Sequence, residues 1–121
     1  MGNTEETDLL KAKDEIKDIL KQNASKRAMI PYSDLVANLQ SMRLEAHDTR
    51  LFRLLGDISV EENEEGRGML SVIVVHKHGD VQPGPGFFEL AKQLGRDTSD
   101  ILQCWVDELK KVHYYWSTLE K

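Results

Sequence analysis

The sequence is poor in cysteine and has no long apolar run. Its single cysteine, Cys104, excludes an internal disulfide and is typical of a reducing compartment. The first residues are polar and acidic rather than basic and then apolar, so no signal peptide is expected. No apolar stretch approaches the ~20 residues that a membrane-spanning helix needs. These absences predict a cytoplasmic protein without a membrane segment.

Positive charge is also scarce. The chain carries 16 lysines and arginines against 21 aspartates and glutamates, a formal net charge of −5. This balance argues against a protein that coats nucleic acid without sequence preference, although it allows a local basic face. A hydrophobic fraction of 40% in 121 residues is enough for one core. We therefore expect a flexible polar leader at residues 1–7 and a single domain at residues 8–121.

Motifs of catalysis are missing as well. The chain has no Ser/His/Asp spacing, no paired carboxylates on a recognisable scaffold and no P-loop lysine, so we predict neither enzyme activity nor a cofactor. His76 and His78 would face one side of a strand and, with Asp80, suggest a zinc or nickel site. No further ligand accompanies them at motif spacing. We interpret the segment as a polar hairpin tip and predict no metal.

The most informative stretch runs from Met69 to Gly95. Valine and isoleucine dominate residues 70–75, which predicts a buried strand. Residues 82–86 read Gln-Pro-Gly-Pro-Gly and form an elbow, because proline fixes φ and glycine permits positive φ. A helix is predicted from Phe87, with Gly95 as its left-handed cap.

Apolar periodicity predicts helices on both sides of this stretch. Positions that recur every three or four residues indicate a first helix from Asp8 to near Asn23. The residue before a proline is pushed toward extended geometry, so Met29 and Ile30 are expected in a short strand. A short helix follows at residues 32–39. The apolar stripe of a long final helix comprises Ile101, Leu102, Trp105, Val106, Leu109, Val112, Trp116 and Leu119.

One more helix precedes the informative stretch. Asp48 is a good N-cap for a helix at residues 49–55, and Gly56 is expected to break or end it. Ser59-Val60-Glu61-Glu62 matches a capping box, which predicts one or two further turns through Glu64.

The order of these elements is that of a winged helix-turn-helix. The segment Ile30-Pro31-Tyr32-Ser33-Asp34-Leu35 and the Arg-bearing helix after it resemble the C-terminal domain of alkylguanine-DNA alkyltransferases. Met69-Leu70-Ser71 and Pro83 to Phe88 resemble small bacterial proteins of unassigned function that share an MLSxxVV…PGxGFF pattern. The resemblance implies an α/β, mostly α fold: a winged helix-turn-helix-like domain with a small β-sheet and flanking N- and C-terminal helices.

The resemblance extends to the scaffold and not to the chemistry. Alkyltransferases carry their nucleophile in a PCHR motif, which this chain lacks. What the scaffold implies is binding of double-stranded DNA, with a regulatory role. In this docking mode the second helix enters the major groove and the wing touches the backbone. Arg50 and Arg53 would face the bases, and Lys26, Arg27 and Lys77 would contact phosphates. The predicted basic set also includes Arg43 and, at the wing, His78.

A second hypothesis uses the same scaffold for contact with a protein partner or a second copy of the chain. The acidic balance and the Trp-rich final helix suit this role. The two hypotheses differ in one observable. A DNA-binding protein needs Arg50, Arg53 and Lys77 on one positive face, whereas a protein-binding module needs an exposed apolar patch, expected around Phe87, Phe88 or Trp116.

Overall fold

The computed structural model describes residues 4–77 and 82–118, with the backbone alone for Thr4. This part of the chain is mostly helical. Its elements are α1 (Thr4–Ser25), β1 (Ile30–Pro31), α2 (Tyr32–Ala37), α3 (Thr49–Glu64), a 3-10 helix (Leu70–Ile73), β2 (Val74–Val75), α4 (Pro85–Gln93) and α5 (Ile101–Thr118).

β1 and β2 form a two-stranded parallel sheet. Ile30 pairs with Val74, and Pro31 pairs with Val75. Parallel strands need a long crossover, and here α2, α3 and the 3-10 helix supply it. The expected α/β, mostly α fold with a small sheet is therefore confirmed.

The prediction of a strand over residues 70–75 is wrong for its first four residues. Leu70–Ile73 form the 3-10 helix, and only Val74 and Val75 are paired in the sheet. The three long helices α1, α3 and α5 all pack against this 3-10 helix, and its four residues are buried. Strand propensity reflects the fit of a side chain to a half-buried pleated surface. Packing from several sides overrides it here.

Two polar anchors hold the 3-10 helix in place. The backbone N–H of Ser71 donates to Oγ of Ser59 at 3.0 Å, and the two serine hydroxyls are 2.6 Å apart. The backbone N–H of Met69 donates to Oε2 of Glu108 at 2.8 Å. Ser59 thus lies inside α3 and bonds to the 3-10 helix, so the predicted capping box at residues 59–62 is wrong.

Helix boundaries also differ from expectation: α2 ends at Ala37 rather than at residue 39, and α4 begins at Pro85 rather than at Phe87. α1 begins at Thr4, so residues 4–7 of the predicted leader are helical. α3 runs without a break through Gly56, which the sequence predicted as its end. The predicted caps are confirmed. The Asp48 carboxylate accepts from the backbone N–H of Arg50 at 2.8 Å, and Gly95 has a φ of 90° after α4.

The buried face of α5 is rotated from the predicted apolar stripe. Cys104, Glu108 and Val112 are buried, whereas Ile101 is 47% exposed. Burial would raise the pKa of Glu108. The two hydrogen bonds from Arg96 at 2.9 Å, the hydrogen bond from the Met69 N–H and the positive charges of Arg96 and Lys111 together outweigh it and leave that pKa lowered. α5 therefore buries the carboxylate of Glu108, which is paired with Arg96, and exposes apolar residues in its first turn.

Among the described residues, no helix combines the length and the apolarity that crossing a membrane requires.

Candidate functional site

A groove lies between α3 and α4, next to the end of β2 and the start of α2. Its volume is about 510 Å³, within the usual range for binding sites in proteins. The lining combines large apolar residues with a few polar ones: Tyr32, Phe52, Leu55, Gly56, Ser71, His76, Gly84, Pro85, Gly86, Phe87, Glu89, Leu90 and Gln93.

The Pro/Gly elbow builds one wall of this groove. Pro85 occupies the first turn of α4, where its missing N–H leaves no helical hydrogen bond unmade. The backbone N–H of Gly84 donates to the phenolic oxygen of Tyr32 at 3.2 Å. A Cβ on Gly84 would lie 3.4 Å from Nε2 of His76, so the elbow approaches that ring closely. These contacts fix α4 against α2.

Aromatic side chains continue the wall across α2 and α3. The Tyr32 ring meets Phe52 edge to face at 5.9 Å and lies 5.2 Å from the His76 ring. Phe52 is 46% exposed, although it belongs to a helix that is otherwise packed through Leu51, Leu54 and Leu55. An aromatic residue left this open gives the groove an apolar entrance.

Polar groups in the groove are few. Burial raises the pKa of Tyr32, so its phenol stays neutral. The phenolic oxygen already accepts a hydrogen bond from Gly84, and its O–H can donate a hydrogen bond to a ligand. Ser71 is already bonded to Ser59. Among the described lining residues, Glu89 carries the one formal negative charge, and it is exposed. The groove can therefore bind an apolar group and orient it through a hydroxyl and a carboxylate.

A second hollow lies on the other side of the elbow. Its lining includes His76, Pro83, Pro85, Phe88 and Ile101, and its volume is about 430 Å³. It shares His76, Gly84 and Pro85 with the groove. The apolar surface thus continues past the elbow to the first turn of α5.

The structure places the expected apolar residues differently from the sequence analysis. Phe87 is buried in the floor of the groove, with only 8% of its surface exposed, and Phe88 is half-buried against it at 5.3 Å. Trp116 is half-buried beneath Lys21 and Arg67, whose cationic groups lie 5.2 and 5.9 Å from its rings. The exposed large apolar residues that line the groove and the second hollow are instead Phe52 and Ile101.

Arg50 and Arg53 lie together on α3, three residues apart. Arg50 is held by Asp48, which accepts from its guanidinium at 2.8 and 3.1 Å, and Glu5 of α1 lies 3.7 Å away. Arg53 is exposed, and no carboxylate of the described residues is within ion-pair distance of it. One arginine of this predicted pair is thus neutralised and the other is open.

The other residues of the predicted basic set lie in several parts of the structure or outside its described part. Lys77 lies 3.6 Å from Asp34 of α2. Lys26 and Arg27 follow the C-terminal end of α1, whereas Arg50 faces its first turn, so the length of α1, about 30 Å, separates them. Arg43 is exposed in the connector between α2 and α3, and His78 lies outside the described residues. Lys26 and Arg27 are therefore not brought onto the same surface as Arg50.

His76, His78 and Asp80 were considered as metal ligands, and Cys104 as a nucleophile. Within residues 4–77 and 82–118, no three His, Cys, Asp or Glu side chains are grouped as metal ligands. His76 faces Tyr32 and the elbow, and His78 and Asp80 lie outside the described residues. Burial raises the pKa of the Cys104 thiol, which disfavours the reactive thiolate.

Sequence reasoning did not identify the groove. Its signal was present in Phe52, which stands on the outward side of the Leu51, Leu54 and Leu55 stripe, and in Gly56, a glycine inside a helix. Both are local departures from an amphipathic pattern. Their proximity to the elbow depends on the packing of α4 against α3, which periodicity does not report.

Comparison of the chain with protein-family models, with curated proteins and with solved structures found no significant match. The resemblances drawn from short sequence patterns therefore stay predictions.

Proposed function

We propose that the chain is a non-catalytic protein-interaction module that binds a segment of a partner protein in the groove between α3 and α4. The observation that carries this proposal is Phe52, a large aromatic residue 46% exposed at the entrance of an apolar groove. A large side chain of a partner, buried in the groove on binding, would cover Phe52.

Charge identifies the kind of segment that fits. Glu89 at the rim is negative, and the whole chain carries a net charge of −5. A segment with a large apolar anchor beside a lysine or arginine complements both the apolar lining and this charge. An acidic segment would be repelled during its approach.

The scaffold of this module is proposed to be winged-helix-like. The order of β1, α2, α3 and β2 supports this, since a short strand is followed by two α-helices and, after the 3-10 helix, by a second strand. The connection after β2, which would form the wing, includes residues 78–81 outside the described part of the chain. Within this proposal the protein works in the cytoplasm and acts by binding.

The test is a nuclear magnetic resonance titration of ¹⁵N-labelled protein with short peptides. The peptides share the form Lys-Ser-X-Ser-Lys, with X as Trp, Leu or Asp. We expect the Trp and Leu peptides to shift the amide signals of Phe52, Gly56 and Leu90 saturably, and the Asp peptide to leave them in place. Scattered or non-saturating shifts up to about 5 mM peptide, beyond the weak millimolar range, would contradict the proposal.

A matched pair of variants controls this experiment. Phe52→Lys places a charge at the entrance of the groove, and Leu10→Lys places the same charge on α1, where Leu10 is 61% exposed outside the groove. Both positions are on the surface, so both variants should fold. Phe52→Lys should abolish the saturable shifts, and Leu10→Lys should retain them.

DNA binding is the second candidate function, and open Arg53 on α3 favours it. The same labelled protein can be titrated with mixed-sequence duplex DNA at low and at moderate salt. A DNA-binding face predicts shifts around Arg50 and Arg53 that weaken steeply with salt and are lost in Arg53→Ala. Shifts confined to the groove with peptide, and none with DNA, would support the interaction module instead.

A further inference from the structure

Two glycines line the groove inside helices. Gly56 lies in the middle of α3, and Gly86 lies in the first turn of α4. Glycine within a helix is destabilising relative to alanine, because it loses more backbone freedom on folding. Neither residue has a positive φ, so the local backbone conformation does not require glycine at either position.

Steric room does not require glycine at these positions either. A Cβ on Gly56 would meet only Cδ2 of Leu90, at the ordinary van der Waals distance of 3.9 Å. A Cβ on Gly86 would have no neighbour within 4 Å. Both positions therefore accept alanine as far as the protein's own packing is concerned.

Other glycines of the chain contrast with this pair. Gly68 has a φ of 89°, and a Cβ there would lie 2.9 Å from Cγ2 of Val112. Gly95 has a φ of 90° as the left-handed cap of α4. Backbone geometry and close packing account for these two, but they do not account for Gly56 and Gly86.

We infer that Gly56 and Gly86 are specificity-determining residues that keep the groove deep enough for an aromatic anchor of the partner. This inference rests on the function proposed above and specifies its ligand. Bare backbone at Gly56 lets a flat ring lie close to α3, between Phe52 and Leu90. The surrounding rings of Tyr32, Phe52 and Phe87 offer edge-to-face contacts to that ring.

The inference predicts that replacement of Gly56 by alanine stabilises the fold and weakens binding of the aromatic anchor. Gly56→Ala should raise the midpoint of thermal unfolding by about 4 °C, as expected for a helix-interior glycine replaced in a domain of this size. The same methyl group should weaken binding of the Trp peptide by about tenfold, the usual effect of one methyl group in an apolar pocket. Binding of a peptide with Val as X should change much less, because the smaller side chain does not reach α3.

Three further variants complete the test. Gly56→Leu and Gly86→Leu add larger groups to the groove and should weaken Trp-peptide binding more than Gly56→Ala does. Ala37→Leu adds comparable bulk at the exposed end of α2, outside the groove, and should bind like the wild type. Affinities are measured by the same titration, and unfolding midpoints by circular dichroism.

The outcomes separate this inference from the proposed function. If the wild type binds no peptide in the groove, the interaction module itself is contradicted. If the wild type binds but Gly56→Ala binds the Trp peptide equally well, the glycines do not set specificity and only the present inference fails. A lower unfolding midpoint in Gly56→Ala would also overturn it, because glycine would then be needed by the fold.

Discussion

Arg27 occupies a backbone conformation that suits glycine. Its φ is 56°, and it follows the last turn of α1, where the N–H of Ala28 donates to the carbonyl of Asn23 at 2.9 Å. This is the capping arrangement in which the left-handed residue is usually glycine. A side chain in this conformation brings Cβ close to the following carbonyl oxygen, which is unfavourable.

Replacement of this residue should therefore stabilise the protein. We expect Arg27→Gly to raise the free energy of unfolding by up to about 1 kcal/mol, measured by urea denaturation. The gain is limited by loss of the exposed hydrogen bond from Arg27 to Oγ of Ser117, 3.2 Å long. Gly95→Ala is the matched control, because it places a side chain at the equivalent cap of α4 and should destabilise. An unchanged or lower stability in Arg27→Gly would contradict this account.

At the scale of elements, Ser59 links α3 to the 3-10 helix. Its hydroxyl accepts from the N–H of Ser71 and bonds to the Ser71 hydroxyl, and both side chains are buried. A buried hydrogen-bond donor without a partner destabilises the fold, because it loses its hydrogen bonds to water and gains none in the protein. Removal of the Ser59 hydroxyl therefore leaves more buried groups without a partner than removal of the Ser71 hydroxyl does.

The two serines should differ in a mutational comparison. Ser59→Ala leaves both the N–H and the hydroxyl of Ser71 without a partner and should lower the free energy of unfolding by about 2–3 kcal/mol. Ser71→Ala retains the bond from its backbone to Ser59 and should be milder. The double variant should lose less than the sum of the single variants, as a double-mutant cycle in urea can measure. Additive losses would show that the pair does not act together.

Local signals explain which elements could be predicted from sequence. The Asp48 cap, the strand near Pro31 and the Gly95 cap each depend on one or two residues and their immediate neighbours. Both caps are confirmed. Of the strand expected at Met29 and Ile30, Ile30 is confirmed, and Pro31 rather than Met29 is its second residue. The break expected at Gly56 failed because a helix-interior glycine disfavours a helix only weakly, and packing of Leu55 and Ile58 into the core outweighs it.

Features that depend on distant residues escaped prediction. The strand propensity of Leu70–Ile73 was overridden by α1, α3 and α5, which lie far apart in sequence. Glu108 stood within an apolar stripe and reads as an interruption, yet it is buried against Arg96 and Met69. The groove belongs to this class as well, because it joins α3 to α4 across the elbow.

At the scale of the whole molecule, two buried carboxylates connect the long helices. Glu62 of α3 accepts two hydrogen bonds from Arg67, at 2.7 and 2.8 Å, and lies 3.4 Å from Lys17 of α1. Glu108 joins α5 to the 3-10 helix through Met69. Burial alone would raise the pKa of Glu62, but Arg67 and Lys17 outweigh it and leave that pKa lowered.

These lowered pKa values predict acid sensitivity with a definite sign. In the unfolded chain both carboxyls return to an ordinary pKa near 4.5, so the unfolded state binds protons more readily than the folded state. Their stabilising contribution is complete above that value and is lost as pH falls toward the lower folded pKa values. We expect the free energy of unfolding to decline as pH falls from about 5 to about 3.

Variants can assign this decline to Glu62 and Glu108. The double variant Glu62→Gln/Glu108→Gln should be less stable than the wild type at neutral pH, because Arg67 and Arg96 lose their partners. Its free energy of unfolding should also fall less on acidification. The free energies of unfolding of the double variant and the wild type, measured by urea denaturation at each pH, should therefore converge at low pH. Glu64→Gln alters an exposed carboxylate of the same helix and should follow the wild type throughout. Parallel losses in the double variant and the wild type would mean that other carboxylates govern acid unfolding. Convergence would show that the same two buried carboxylates that link α3 to α1 and α5 to the 3-10 helix set the lower pH limit of the fold.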